Sequence, residues 1–324
     1  MDNELLRFAR LAMATARRAV PPRLSRHASP TYHPASLLAA LLLREHLRLT
    51  YRAAEDLPRL SDRLRRLLGL RIVPDHSTLW WFGRRHLTPG FLAAAPEGTV
   101  ARVGGRLRGS RLVALDSTGL WLSHASRYFE WRAKRGRRQR GWLEWALAMW
   151  TGPQLLVAQR VRPGPAGDFS DLVPLATAAH AVLPFERLVA DAGYDSEGNH
   201  RFCRERLGVD SLIPAKKRRS VRVVATTPYR QEMVRRLGDP GEGESRRMYR
   251  QRWKAETVMS VAKRRWGEAL SARLDATQEA QALLRGVVYN LNRLVRLDCA
   301  AWTFRRSTAR LRRAVRPPAG RSRL

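Results

Sequence analysis

The chain has little cysteine, few acidic residues and no long apolar run, and each shortage argues against a class of function. Its only thiols are Cys203 and Cys299, with no C-x-x-C pair. That speaks against a disulfide framework and against a zinc site built on thiolates, and it fits a reducing cytosol. The longest apolar stretch, around Leu37 to Leu43, is far shorter than the ~20 residues a membrane-crossing helix needs. The opening MDNELLRFAR lacks the apolar centre of a signal peptide. The expectation is a cytoplasmic, nucleoid-associated protein with no membrane partner. Acidic residues number 28 against 61 Lys and Arg, a formal net charge of +33. Such an excess repels itself in isolation and calls for a polyanion, most simply nucleic acid. The basic residues run through the whole chain rather than along one amphipathic segment, which disfavours a lipid surface.

Hydrolytic side-chain triads and phosphate loops are also missing. Ser117 and Thr118 stand beside Asp116, but no histidine is placed to serve them. His124, His180 and His200 are scattered and read as surface or packing residues. The glycine-rich GRLRGS lacks the G-K-[ST] ending of a phosphate-binding loop.

What is present changes character along the 324 residues, which are enough for two or three domains. Residues 1–105 read as helical. HPASLLAALLLREHLRL forms one apolar helix, Thr50 caps YRAAEDLPRL, and Ser77 caps TLWWFGRRHL. Arg-rich exposed faces suit a DNA-binding module, and a helical cap packed on the next domain fits equally well. Trp80, Trp81 and Phe82 read as core. From Arg111 the period shortens. RLVAL, ending at Asp116, reads as a buried strand, and GWLEWALAMW with QLLVAQRV reads as a hairpin about the turn Thr151-Gly152-Pro153. A helix capped by Asp168 or Ser170, a strand RLVA ending at Asp191, a helix EGNHRFCRERL and a strand DSLIPA follow. This succession describes an α/β mixed sheet flanked by helices, spanning residues 106–300. Residues 215–245 form a polar, basic insertion containing Lys216 and Lys217. Residues 301–324 form a basic tail, expected to be disordered from Arg305 and to contact nucleic acid. The run Arg132–Arg140, with Arg135, Arg137 and Arg138, suits a loop on a DNA path.

Two features carry chemistry. Asp116 and Asp191 each end an apolar strand, where sheet ligands gather, and a carboxylate there is costly unless a cation compensates it. The second is Y-x2-R-x3-E-x6-K in MYRQRWKAETVMSVAKRRW, which contains neither proline nor glycine. On one continuous helix, Tyr249, Arg252, Glu256 and Lys263 share an arc of about 60° beside an apolar stripe of Ala255, Val258, Met259, Ala262 and Trp266. Oxygen donors without His or Cys select Mg2+ or Mn2+, and two such ions suit phosphodiester chemistry.

VALDSTGL, LVADAGYDS and the Y-R-E-K block, in that order, resemble the signature blocks of bacterial and archaeal insertion-sequence transposases of the DDE type. PDHSTLWWF is similar to that family's helical leader. The resemblance implies a ribonuclease-H-like core, with Asp116, Asp191 and Glu256 as the metal-binding triad. It also implies that Tyr249, Arg252 and Lys263 contact DNA phosphates near the cleaved end. The function it implies is binding of terminal inverted repeats, cleavage, and transfer of a 3′-hydroxyl end into target DNA by two-metal chemistry, with a homodimer on DNA. A nuclease of the same fold and a catalytically inactive, domesticated DNA-binding descendant are the alternatives.

Overall fold

Helical periodicity in the first hundred residues and alternation after residue 111 become helices packed against a mixed sheet in a computed structural model. It describes residues 3–24, 31–93, 95–104, 111–122, 142–164, 167–216, 225–238, 241 and 243–314. The helical part comprises α1 (Glu4–Ala19), α2 (Pro34–Leu47), α3 (Tyr51–Arg59), α4 (Asp62–Leu67), α5 (His76–His86), α6 (Pro89–Ala93) and α7 (Ala95–Gly104). Short polar side chains start these helices by accepting otherwise orphaned backbone N–H groups. Thr50 accepts from Ala53 at 3.1 Å and Ser61 from Leu64 at 3.2 Å. The cap of α5 is Asp75, which accepts from Thr78 N at 2.7 Å. Ser77, the expected cap, instead donates its hydroxyl to that carboxylate at 2.7 Å. Helix α2 is apolar on nearly every side and accordingly buried, ringed by α1, α3 and α5. The expectation for the aromatic trio fails in part. Helical spacing turns Leu79, Phe82 and Gly83 inward, whereas Trp81 is 45% exposed beneath the guanidinium groups of Arg84 and Arg85.

The sheet begins with β1 (Leu112–Leu122), β2 (Trp142–Trp150) and β3 (Leu155–Pro163), an antiparallel meander. A short 3-10 turn (Asp168–Asp171) leads into α8 (Leu172–Val182) and then β4 (Arg187–Val189). Neither Asp168 nor Ser170 caps α8; Asp168 is held by Ser117 and Arg162 instead. After α9 (Glu197–Arg201), prolonged by a π-turn over Phe202–Arg206, comes β5 (Asp210–Leu212). β4 and β5 run parallel to β1, giving the order β3-β2-β1-β4-β5, with a short β6 (Ala269–Leu270) pairing β1 at its far end. This six-stranded mixed sheet flanked by helices is the ribonuclease-H-like arrangement.

Between β5 and β6 the structure departs from the expected insertion and single helix. The chain forms α10 (Pro228–Gly238) and α11 (Gly243–Arg250), followed by α12 (Trp253–Trp266). Arg236 forks onto both oxygens of Asp210 at 2.8 Å, and Arg204 bonds Glu232 at 2.6 Å, so α10 is ion-paired to β5 and the π-turn. α11 and α12 are separated at Gln251 and Arg252 by tight i→i+3 bonds, Gln251 N to Met248 O at 2.9 Å and Arg252 N to Tyr249 O at 3.0 Å. Nor is α12 the last helix. The 40-residue α13 (Asp275–Ala314) follows, and its backbone includes residues 305–314, where a disordered tail was expected.

Period two divides the sheet's two faces. Leu112, Ala114 and Leu120 of β1, with Val189 of β4, point into a large core shared by α1, α2, α12 and α13. Val113, Leu115 and Leu188 point the opposite way, into a smaller core under α8 that includes Tyr194. The N-terminal helices therefore bury their apolar faces in the same core as the sheet. Among the described residues, no helix is long and apolar enough to cross a membrane.

Candidate active site

β1 continues six residues beyond Asp116, so this carboxylate stands within a strand rather than at its end. β2 pairs one edge of β1 over Val113–Trp121 and so keeps it extended. On the other edge β4 covers only Leu112–Ala114 and β6 only Trp121–Leu122. The edge is open between them, beside Asp116. The parallel register matches Val189 with Ala114. Carried two residues further, it sets Asp191 level with Asp116. Alternation points both side chains to the face that α12 covers.

Asp116, Asp191 and Glu256 thereby line one cavity of about 500 Å³, together with Ser117, Thr118, Ser260 and Glu268. The cations Arg252, Lys263 and Arg264 line it as well. Glu256 sits in the first turn of α12, and Ser260 and Lys263 follow at helical spacing on the same side. Arg252 bridges two of the acids. Its Nη2 lies 2.5 Å from Glu256 Oε1 and its Nη1 lies 3.8 Å from Asp116 Oδ2. The phenol of Tyr249, at the end of α11, is hydrogen-bonded to Arg252 and raised in pKa, chiefly by burial. Asp116 Oδ1 accepts the Ser117 N–H at 3.0 Å, and Asp191 Oδ1 accepts the Gly193 N–H at 2.8 Å.

The other candidates lie elsewhere. Lys216 is exposed outside the cavity and uses its backbone N–H to bond Asp195 at 2.8 Å. Lys217, Arg135, Arg137 and Arg138 lie outside the described residues. His200, read as a packing residue, is buried with its Nδ1 2.8 Å from Ser211 Oγ. Sequence reasoning missed Glu268, which reaches the wall only because its chain leads into β6. It also missed Asp168 behind the sheet. No spacing rule connects either residue to the other three acids.

Burial pushes the Asp116 carboxyl up to about 6, and the charges of Asp191 and Glu256 add to the rise. The Ser117 N–H and Arg252 oppose it. The donors are all oxygens, as Mg2+ or Mn2+ prefers. Among the described residues no three acidic, His or Cys side chains converge at ligand distance. Arg252, lying between Asp116 and Glu256, supplies the compensating charge in this arrangement. In donor chemistry, though not in spacing, these residues suit a divalent ion.

One consequence is measurable without a substrate. A folded-state pKa above the ordinary value near 3.8 means that the protonated form stabilises the fold at low pH. That contribution is lost as pH rises from about 4 through about 6. Asp116→Asn mimics the protonated acid, so in EDTA at pH 7 it is expected to stabilise the protein by on the order of 3 kcal/mol. The gain should vanish near pH 4. Calorimetric melts at the two pH values check this, and an Asn variant less stable than the wild type at pH 7 refutes it.

Two family descriptions match the chain. Residues 3–85 match the Transposase domain (DUF772). Residues 107–291 match the Transposase DDE domain, and this stretch contains every element of the cavity. No curated protein matches the sequence. With more than half its length matched by that description and its sheet in the corresponding arrangement, the chain belongs to the DDE-domain transposases, a family that generally uses divalent metal ions.

Proposed function

We propose that Asp116, Asp191 and Glu256 are the carboxylates with which this transposase holds Mg2+ or Mn2+, as a pair of ions. On this reading the chain binds the terminal inverted repeats of its own element on nucleoid DNA and cuts there. It then joins the freed 3′-hydroxyl to target DNA. The carrying observation is that three acids from β1, from the end of β4 and from α12 line one cavity together with the cations Arg252, Lys263 and Arg264. Ions bound there supply activation of the attacking oxygen and stabilisation of the leaving one.

The chain's own groups do the rest. Arg252 exchanges its carboxylate partners for a DNA phosphate, while Lys263 and Arg264 hold the same backbone from about three turns further along α12. Tyr249 donates a hydrogen bond and, through its bond to Arg252, orients that guanidinium. We assign the chain to the Y-R-E-K group on these four residues. The N-terminal helices with Arg84 and Arg85 are assigned to grip the DNA end, and a homodimer brings two ends together.

The test is a duplex carrying the element's end, with Mg2+ and a plasmid target, supplied either intact or already cut. Joined products from both substrates are expected. Cutting without any joining of pre-cut ends would identify a nuclease of the same fold. Binding with neither reaction would identify a DNA-binding descendant of a transposase.

A further inference from the structure

We infer that Asp168 is a positioning residue for the acidic site, holding Asp116 through Ser117 and setting the place of Asp191 across Gly193. The inference rests on the function proposed above. Asp168 does not line the cavity. Alternation along β1 sends the Ser117 side chain through to the opposite face from Asp116, toward the core under α8. Ser117 thus serves two acids at once. Its N–H donates to Asp116 Oδ1 at 3.0 Å and its hydroxyl donates to Asp168 Oδ1 at 2.8 Å.

Asp168 is itself firmly held. Arg162 Nη2 lies 3.5 Å from its Oδ1, and Arg162 Nε bonds Asp171 at 2.6 Å. Asp171 is fully buried, and Arg160 flanks it at 3.7 Å. The second oxygen of Asp168 faces Gly193. A Cβ on that glycine would lie 2.9 Å from both Asp168 Oδ2 and Asp191 Oδ1. The two oxygens are thus within twice that distance of each other, on either side of the space that a side chain at 193 would fill. An independent sign comes from Tyr194. It is wholly buried, its hydroxyl has no hydrogen-bond partner among the described residues, and Asp168, Asp116, Asp171 and Asp191 all act on it electrostatically. A buried phenol that feels acids on both sides of the sheet ties Asp168 and Asp171 electrostatically to Asp116 and Asp191.

Supporting partners of metal ligands commonly contribute ten- to a hundredfold in affinity. The test is Mn2+ binding to the full chain without DNA, by titration calorimetry, with circular dichroism confirming that each variant is folded. Asp116→Asn should remove the Mn2+ binding seen in the wild type; if it does not, the site assignment fails and this inference with it. Given that control, Asp168→Ala and Ser117→Ala should each weaken binding by about tenfold or more. The double variant should lose little beyond either single one, because both break one connection. Asp168→Asn keeps an oxygen for the Ser117 hydroxyl and should recover most of the affinity. Wild-type affinity in folded Asp168→Ala, or losses that simply add, would overturn the inference. If Asp168→Ala does not fold, Ser117→Ala decides alone.

Discussion

Glu256→Gln should abolish DNA cutting and joining, a loss of at least about a thousandfold, while leaving end binding intact. Removing a single preorganised group that stabilises transition-state charge already costs about a hundred- to a thousandfold. Gln keeps the size of the side chain and an oxygen for Arg252, but it lacks the charge that a divalent ion requires. The fold should not suffer, because the Glu256 side chain is 55% exposed in the first turn of α12. Binding should even tighten slightly, since one negative charge beside the phosphate backbone is gone while Arg252, Lys263 and Arg264 remain. Gel-shift and cleavage assays on the same preparation separate the two effects. Asp116→Asn and Asp191→Asn should behave alike, and Mg2+-dependent cutting retained by any of the three would remove that acid from the site.

Arg285→Ala should cost about 3–5 kcal/mol of stability, as expected when one partner of a buried ion pair is removed. Arg285 on α13 is 3% exposed and Glu45 on α2 is 4% exposed. The guanidinium bonds Glu45 Oε1 at 2.9 Å, Gly267 O at 2.9 Å and Ala269 O at 2.7 Å. One side chain thus ties an N-terminal helix, the last helix and the strand entry beside Glu268. Alanine leaves the buried Glu45 carboxylate with only Arg44, at 3.6 Å, and the Gln281 amide, at 3.3 Å, and takes the Arg285 donor from two carbonyls. Replacing both members, Glu45→Met with Arg285→Leu, should recover much of the loss, because apolar groups of similar size pack there without a charge to desolvate. Urea unfolding of the two variants checks this, and a cost below about 1 kcal/mol for Arg285→Ala would show that the pair is not needed.

Much of this architecture was legible beforehand. The apolar run at Leu112, the hairpin about Thr151 and the strand before Asp191 follow from side chains that alternate or cluster over short distances. The errors are physical as well. Nothing at Gln251 or Arg252 announces a break, because neither residue is a helix breaker and the turn closes with i→i+3 bonds inside the chain. β1 outruns Asp116 because β2 pairs with it through Trp121, a long-range contact invisible in RLVAL itself. α10 is hidden in the sequence within a polar, basic insertion because its helix docks through Arg236 on Asp210, residues far apart in order. Trp81 reads as core in the sequence because periodicity assigns faces only once the helix boundary is known.

Alone, the sequence determined which residue types were present and their local order: a strongly cationic chain, two acids following apolar strands, and a third on a helix with Tyr, Arg and Lys. Only the tertiary structure decided that β4 and β6 leave an opening in one edge of β1 and that Arg252 lies between Asp116 and Glu256. It also decided that Ser117 reaches Asp168 through the sheet. Such meetings depend on strand register and on how helices cross the sheet, and those are settled by the burial of whole faces rather than by the preferences of neighbouring residues.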